Sequence, residues 1–427
     1  MYPLYSLLLL LFLLAYLPLS FLQDPTLRKY RRRLRERFAF YSPSLLKAIE
    51  GSRPLWVHAV SVGELMAASP LISELMKGSS RPKILLTTVT ATGNQVAKER
   101  FPQAEGIIFF PLDFRWIVKR SLRQLRPRAV VLTETELWPH FLRACGEEGI
   151  PCILVNGRIS HRSFRHYRLV RPFFRTMIRN MSLFLMQTEA DLSRILHLGA
   201  PPSRVKWTGN LKFDQLTGQE GGDLGLRLKQ ELGIEGQSPV FIAGSTHQGE
   251  EEAALEAFLA AKEEVEELIL ILAPRHPERW PAVERILDQK GVAWIRRSQL
   301  LEGRGRRGDI ILLDTLGELG GMYSLGSVVF VGGSLVRTGG HNILEPAFYG
   351  VPILFGPHME NFREIADLFL RSGAAMVVQD SADLSRKVIW LLRHPEEARQ
   401  MGMRARSVLE QNRGATQRTL EWLRDYL

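Results

Sequence analysis

From residue 55 onward, short and almost wholly apolar runs recur along the chain, each followed by a stretch of helical character. The predicted strands of a first series lie at residues 55–61, 83–89, 106–111, 129–133, 152–156, 183–187 and 205–208. A strand apolar along its whole length needs cover on both faces, and β-α alternation supplies it as a parallel, doubly wound sheet. Residues 216–236, richer in Gly and polar side chains, read as a linker with a short helix. A second series follows at 240–243, 268–273, 292–295, 310–313, 328–331, 352–355 and 375–378, and the last stretch, 395–427, is helical and charged. The expected fold class is α/β: two Rossmann-like domains, 23–215 and 237–427, facing each other across a cleft.

Ahead of them, Met1 to Leu22 carries no charged residue and is dominated by Leu. About 20 such residues suffice to span a bilayer as a helix. A secretory signal would place positive charge before the apolar run and a small-residue cleavage site after it. Here the basic cluster comes afterwards, at Arg28, Lys29, Arg31, Arg32, Arg33, Arg35 and Arg37. Residues 1–22 are therefore predicted to be a membrane-anchor helix, with the domains on the cytoplasmic face of the inner membrane. Pro3 and Pro18 weaken a span, and a helix lying in the interface is the alternative. The basic cluster suits anionic lipid headgroups.

With 427 residues, more than one core is expected. Only Cys145 and Cys152 are available for disulfides, which suits a reducing compartment. A net charge of +11 points to anionic partners. Nucleic acid is not among them, since zinc-ligand spacing, RNA-binding aromatics and a basic recognition helix are all missing from the sequence.

Polar residues collect where strands end. In VHAVSVGELMAASP, Gly63 permits a turn and Glu64 falls in the first turn of a helix, where the dipole favours a carboxylate. Such an acid is placed either to cap the helix or to serve as a general base. TETELWP, NGRIS and GNLKFD add Glu134 and Lys212 to the same edge. In the second series, the amides of AGSTH suit a phosphate, and PRHPER fixes Arg275 between prolines. LGELGGMY and VGGSLVRTGGHNILEP are further Gly-rich turns, the latter opening a helix at Asn342 with Glu345 one turn in. Together they suit a nucleotide. The histidines are scattered and no acidic pair flanks the nucleotide loops, so no metal or cofactor is expected.

In this order, SVGELMAASP, TETELWP, GNLKFD, PRHPER, GELGGMY, FVGGSLV, GGHNILEP and GPHMENF resemble the 3-deoxy-D-manno-octulosonic acid (Kdo) transferases of lipopolysaccharide assembly. The likeness runs over nearly the whole chain. It implies a GT-B fold and an inverting, metal-independent transfer of Kdo from CMP-Kdo to a tetraacylated lipid A precursor. By the same resemblance, Glu64 is the general base, and Glu134 and Lys212 stabilise the transition state. Pro274 and Arg275, Leu316, Gly317 and Glu318, and Asn342, Ile343, Leu344 and Glu345 bind CMP. Two departures are Leu65, where Thr is common, and Ile343, where Pro often sits. A UDP-sugar transferase and a catalytically silent nucleotide-binding scaffold are the rival readings.

Overall fold

The computed structural model of the chain describes residues 2–23, 34–78, 81–215 and 222–427, with only the backbone described at 15–23 and 222–223. Contacts divide it into two compact units, Met1–Gln215 with Arg413–Leu427, and Leu216–Asn412.

The first unit holds β1 (Leu55–His58), β2 (Ile84–Thr88), β3 (Gly106–Phe109), β4 (Ala129–Thr133), β5 (Cys152–Gly157), β6 (Leu183–Met186) and β7 (Val205–Trp207). They form one parallel sheet in the order β3-β2-β1-β4-β5-β6-β7. The second holds β8 (Val240–Thr246), β9 (Ile269–Pro274), β10 (Trp294–Arg296), β11 (Ile310–Leu312), β12 (Val328–Val331), β13 (Ile353–Phe355) and β14 (Met376–Val377). Their order is β10-β11-β9-β8-β12-β13-β14, again parallel. The order reverses between β1 and β4 in the first sheet and between β8 and β12 in the second, where β11 also lies between β9 and β10. Crevices at the carboxyl ends of strands open at such switch points. Every predicted strand is present. The expected run 55–61 stops at His58 because Ser61 is already the N-cap of a helix.

The helices that bear on the site are α1 (Tyr2–Gln23), α2 (Val62–Leu75), α3 (Pro139–Glu147), α4 (His161–Leu169), α5 (Arg171–Ile178), α6 (Glu250–Lys262), α7 (Leu344–Phe348) and α8 (Ala415–Leu423). Alternate residues of a strand enter different cores. Leu55 and Val57 pack with Leu65, Leu71 and Ile153, while Trp56 packs with Leu85, Val130 and Phe141. Burying one such side chain stabilises by about 1.5–3 kcal/mol. The buried Trp56 indole also donates from Nε1 to Thr87 Oγ1 at 2.8 Å, so no polar atom is stranded.

The sequence groups residues 413–427 with the second domain, whereas the structure places them in the first unit. Asp214 is the reason. Its carboxylate accepts from the backbone N–H of Gly414 at 2.7 Å and of Thr416 at 2.6 Å, at the start of α8. A carboxylate there satisfies free helix N–H groups and opposes the dipole. Of the expected linker, residues 216–221 lie outside the described residues, and Gly222–Glu231 is a helix.

Helix α1 is docked at its first turn. Ser6 Oγ lies 2.7 Å from His140 Nε2, the Tyr2 ring meets His140 and Phe173, and Arg143 covers Tyr2. Leu4, Leu7, Leu8, Leu11, Phe12 and Leu14 remain exposed. Among the described residues no helix is long and apolar enough to cross a membrane. The spanning anchor predicted for residues 1–22 therefore has no support in the described structure. Of the basic cluster, Arg28, Lys29, Arg31, Arg32 and Arg33 lie outside the described residues.

Candidate active site

Glu64 stands beside the first switch point. Ser61 is the N-cap of α2, its Oγ accepting from Glu64 N at 3.4 Å. The Glu64 carboxylate accepts from Val60 N at 2.9 Å, from Thr133 Oγ1 at 3.2 Å and from Ser61 Oγ at 3.4 Å. The capping reading of the sequence is thus correct as local structure. It does not exhaust the residue, because Thr133 ends β4, the strand across the reversal. Burial raises the Glu64 carboxyl above its ordinary value and the Glu134 charge adds to the rise, against the Val60, Thr133 and Ser61 hydrogen bonds. A half-buried carboxylate of raised basicity suits proton abstraction.

Glu134 is the next residue after β4 and takes a left-handed φ of 54° while its N–H continues the ladder to Val155 O at 3.0 Å. A non-glycine residue held there costs of order 1–3 kcal/mol and marks an over-determined position. The second acid of TETELWP, Glu136, joins Glu64 and Glu134. Burial, then the charge of Glu64, push its carboxyl up to about 8, so it carries a proton at neutral pH beside two ionisable acids. The sequence signal was the acid doublet itself.

Lys212 sits in the 3-10 turn Leu211–Asp214, which packs against α2. That turn is held by a buried amide network. Asn156 Oδ1 accepts from Leu211 N at 3.0 Å, and Gln187 Nε2 donates to Asn156 O at 2.9 Å. Asn210 Nδ2 donates to Gln187 Oε1 at 3.1 Å, and Asn210 Oδ1 accepts from Lys212 N at 3.0 Å. Asn156 has a φ of 53° at an irregularity in the pairing of β5 with β6. Bulges of this kind re-aim side chains at sites. Glu64, Glu134 and Lys212 therefore all belong to the carboxyl edge of the first sheet.

In the second unit the CMP-binding candidates follow β9, β11 and β12. Pro274 ends β9, and Arg275 is exposed with its N–H bonded to Thr246 O at 2.9 Å. Asn342 joins this group: its Oδ1 accepts from Leu344 N at 3.1 Å and its Nδ2 donates to Glu345 Oε1 at 3.1 Å. The helix there is α7, whose N-cap is Ile343 rather than Asn342. Burial raises the Glu345 carboxyl, opposed by Asn342 and the Arg275 charge. The Ile343 and Leu344 side chains are fully buried. Leu316 and Gly317 form an exposed turn.

Some of these groups already have partners within the protein. The Glu318 carboxylate is bound by Arg297, itself buried, from Nη2 at 2.9 Å and from Nε at 3.2 Å, and Thr315 Oγ1 also donates to it. Of the amides of AGSTH, that of His247 is already taken. The Glu250 carboxylate, at the first position of α6, accepts from His247 N at 2.9 Å, Gly333 N at 2.6 Å, Ser334 N at 2.9 Å and Leu335 N at 2.8 Å. An internal anion fills the nest that the glycines create. Among the described residues no group of three or more His, Cys, Asp or Glu is arranged to hold a metal ion.

A family model described as "3-Deoxy-D-manno-octulosonic-acid transferase (kdotransferase)" matches residues 32–215. The 3-deoxy-D-manno-octulosonic acid transferase of Haemophilus influenzae is 36% identical over 404 residues, 93% of this chain and 92% of that protein. That of Bordetella pertussis is 34% identical over 382 residues, covering 88% and 87%. Among solved structures, UDP-GlcNAc 2-epimerase from Neisseria meningitidis aligns with a TM-score of 0.58 over 87% of this chain and 99% of that one. At 16% identity that likeness shows the GT-B fold alone. The chain belongs to the 3-deoxy-D-manno-octulosonic acid transferases, and is a glycosyltransferase.

Proposed function

We propose that the chain moves Kdo from CMP-Kdo to the tetraacylated lipid A precursor (lipid IVA) in lipopolysaccharide assembly, with inversion and without a required divalent ion. The single observation that carries this reading is the Glu64 carboxylate, half-buried at a switch point and raised in basicity. Glu64 takes the proton from the acceptor sugar hydroxyl as that oxygen attacks the anomeric carbon. The bond from that carbon to the CMP phosphate breaks, and its electron pair leaves on the phosphate oxygen. Attack opposite the leaving group inverts the centre. Glu134 and Lys212 steady the transition state, while Arg275, Asn342, Glu345 and the backbone at Pro274, Leu316, Gly317, Glu318, Ile343 and Leu344 hold the cytidylyl group.

The acceptor and the inner membrane fit the surface of the first unit. The apolar face of α1 suits an interfacial helix rather than a spanning one. In the same unit, α4 buries no residue and carries Arg162, Arg165 and Arg168, with Leu169 82% exposed. Apolar and cationic groups together suit a phosphorylated lipid. Incubation of the protein with CMP-Kdo and lipid IVA, followed by mass spectrometry, should show addition of Kdo in the presence of EDTA. Transfer from a UDP-sugar with none from CMP-Kdo refutes the reading.

A further inference from the structure

The strands that flank the second switch point each deliver a histidine. His247 follows β8, His341 follows β12, and their Nε2 atoms are 2.8 Å apart with the rings at 8° to each other. The contact is fixed by backbone. Gly333 has a φ of 64°, and a Cβ there would lie 2.7 Å from His341 Cδ2, so only glycine leaves room for the ring. His276 packs edge-on to His247, with ring centroids 5.3 Å apart. Neither His247 nor His341 received a role from the sequence.

A short N···N contact holds one proton. One ring must carry hydrogen on Nε2 and the other on Nδ1. A second proton would set two N–H groups against each other and break the contact, unless an acceptor lies where both can reach it.

The surroundings are cationic. Arg275, Arg279 and His276 act on His247, and Arg275 and His276 act on His341. The nearby carboxylates are engaged: Glu250 with four backbone N–H groups, Glu345 with Asn342. Burial first, then Arg275 and His247, hold His341 down to about 4, and burial also lowers His247. Both rings are therefore neutral without ligand, and Glu250, the carboxylate that acts on His247 against the burial, is already tied to four backbone N–H groups.

We propose that His247 and His341 are a proton-sharing clamp on the phosphate of the cytidylyl ligand, which takes up a proton as the anion binds. This deepens the donor-site reading above and rests on it. On release the proton returns to solvent and the N···N bond re-forms.

The test is calorimetry of CMP binding to the full chain near pH 7, in two buffers of different ionisation enthalpy, with and without EDTA. Wild type should take up close to one proton, and its Kd should rise by up to about tenfold per pH unit above neutrality. His341→Gln and His247→Gln should each lose most of the uptake and flatten that dependence, and cytidine, which lacks the phosphate, should cause none. Imidazole 15N shifts of the wild-type protein, with and without CMP, read the same protonation without any substitution. Uptake unchanged in both variants, uptake with cytidine, or uptake abolished by EDTA overturns the clamp while leaving the donor reading intact. Failure of wild type to bind CMP at any pH overturns both.

Discussion

Glu64 and Glu250 occupy related places in the two sheets, each in the first turn of the helix after a strand at the order reversal. Each carboxylate reaches back to its own loop, Glu64 to Val60 N and Glu250 to His247 N. Their neighbours make them different residues. Glu250 is fully buried and accepts three further backbone N–H groups from the loop after β12, so its charge is a structural tie. Glu64 has one backbone donor and two hydroxyls, remains reachable, and faces the Glu134 charge. Multiple backbone donors stabilise a carboxylate as the anion and use up its lone pairs; few donors and a like charge leave it a base.

Several substitutions would break or sharpen this contrast. Glu64→Gln should lower turnover by about 10² to 10⁴ with its fold and CMP affinity unchanged, measured by product formation and calorimetry. In the wild type, activity should fall as pH drops through the raised Glu64 pKa, so the acid limb of kcat/KM lies above an ordinary glutamate's. Glu250→Gln should instead cost about 3 kcal/mol of stability in denaturant titration, because three or more charge-assisted bonds become neutral or unmet. If the melting behaviours of these two variants are interchanged, the contrast is wrong.

Asn156→Ala removes the acceptor for Leu211 N and should cost about 1–3 kcal/mol, with a lower kcat through a displaced Lys212. An unchanged kcat would separate that network from the chemistry. The smallest effect, when read near pH 5, belongs to Glu136→Gln. Because the folded pKa of Glu136 is raised from 4.5 to about 8, wild-type stability should decline as pH climbs through that window. The glutamine variant should match wild type near pH 5 and exceed it near pH 9 in thermal melts.

Much of the fold was legible because a parallel sheet covered on both faces writes itself as uninterrupted apolar runs. All strands were found on that signal, and Val328–Val331 and Ala129–Thr133 to the residue. Glu64 was legible for a related reason: strand, glycine turn and helix start are consecutive in the chain. The affiliation of α8 was not, since it depends on Asp214 meeting Gly414 and Thr416 about two hundred positions away. Likewise the glycine-rich loop after β12 looked like an anion nest, and it is one, but Glu250 fills it.

By itself, then, the sequence determined the two parallel α/β sheets, their strands and the positions at which chemistry could stand, because these follow from local periodicity and adjacent residues. Tertiary structure alone decided which acid is tied down and which is available, that Glu318 turns to Arg297, and that His247 and His341 meet. Those outcomes depend on donors and charges brought from distant strands, and no local pattern encodes which group will arrive.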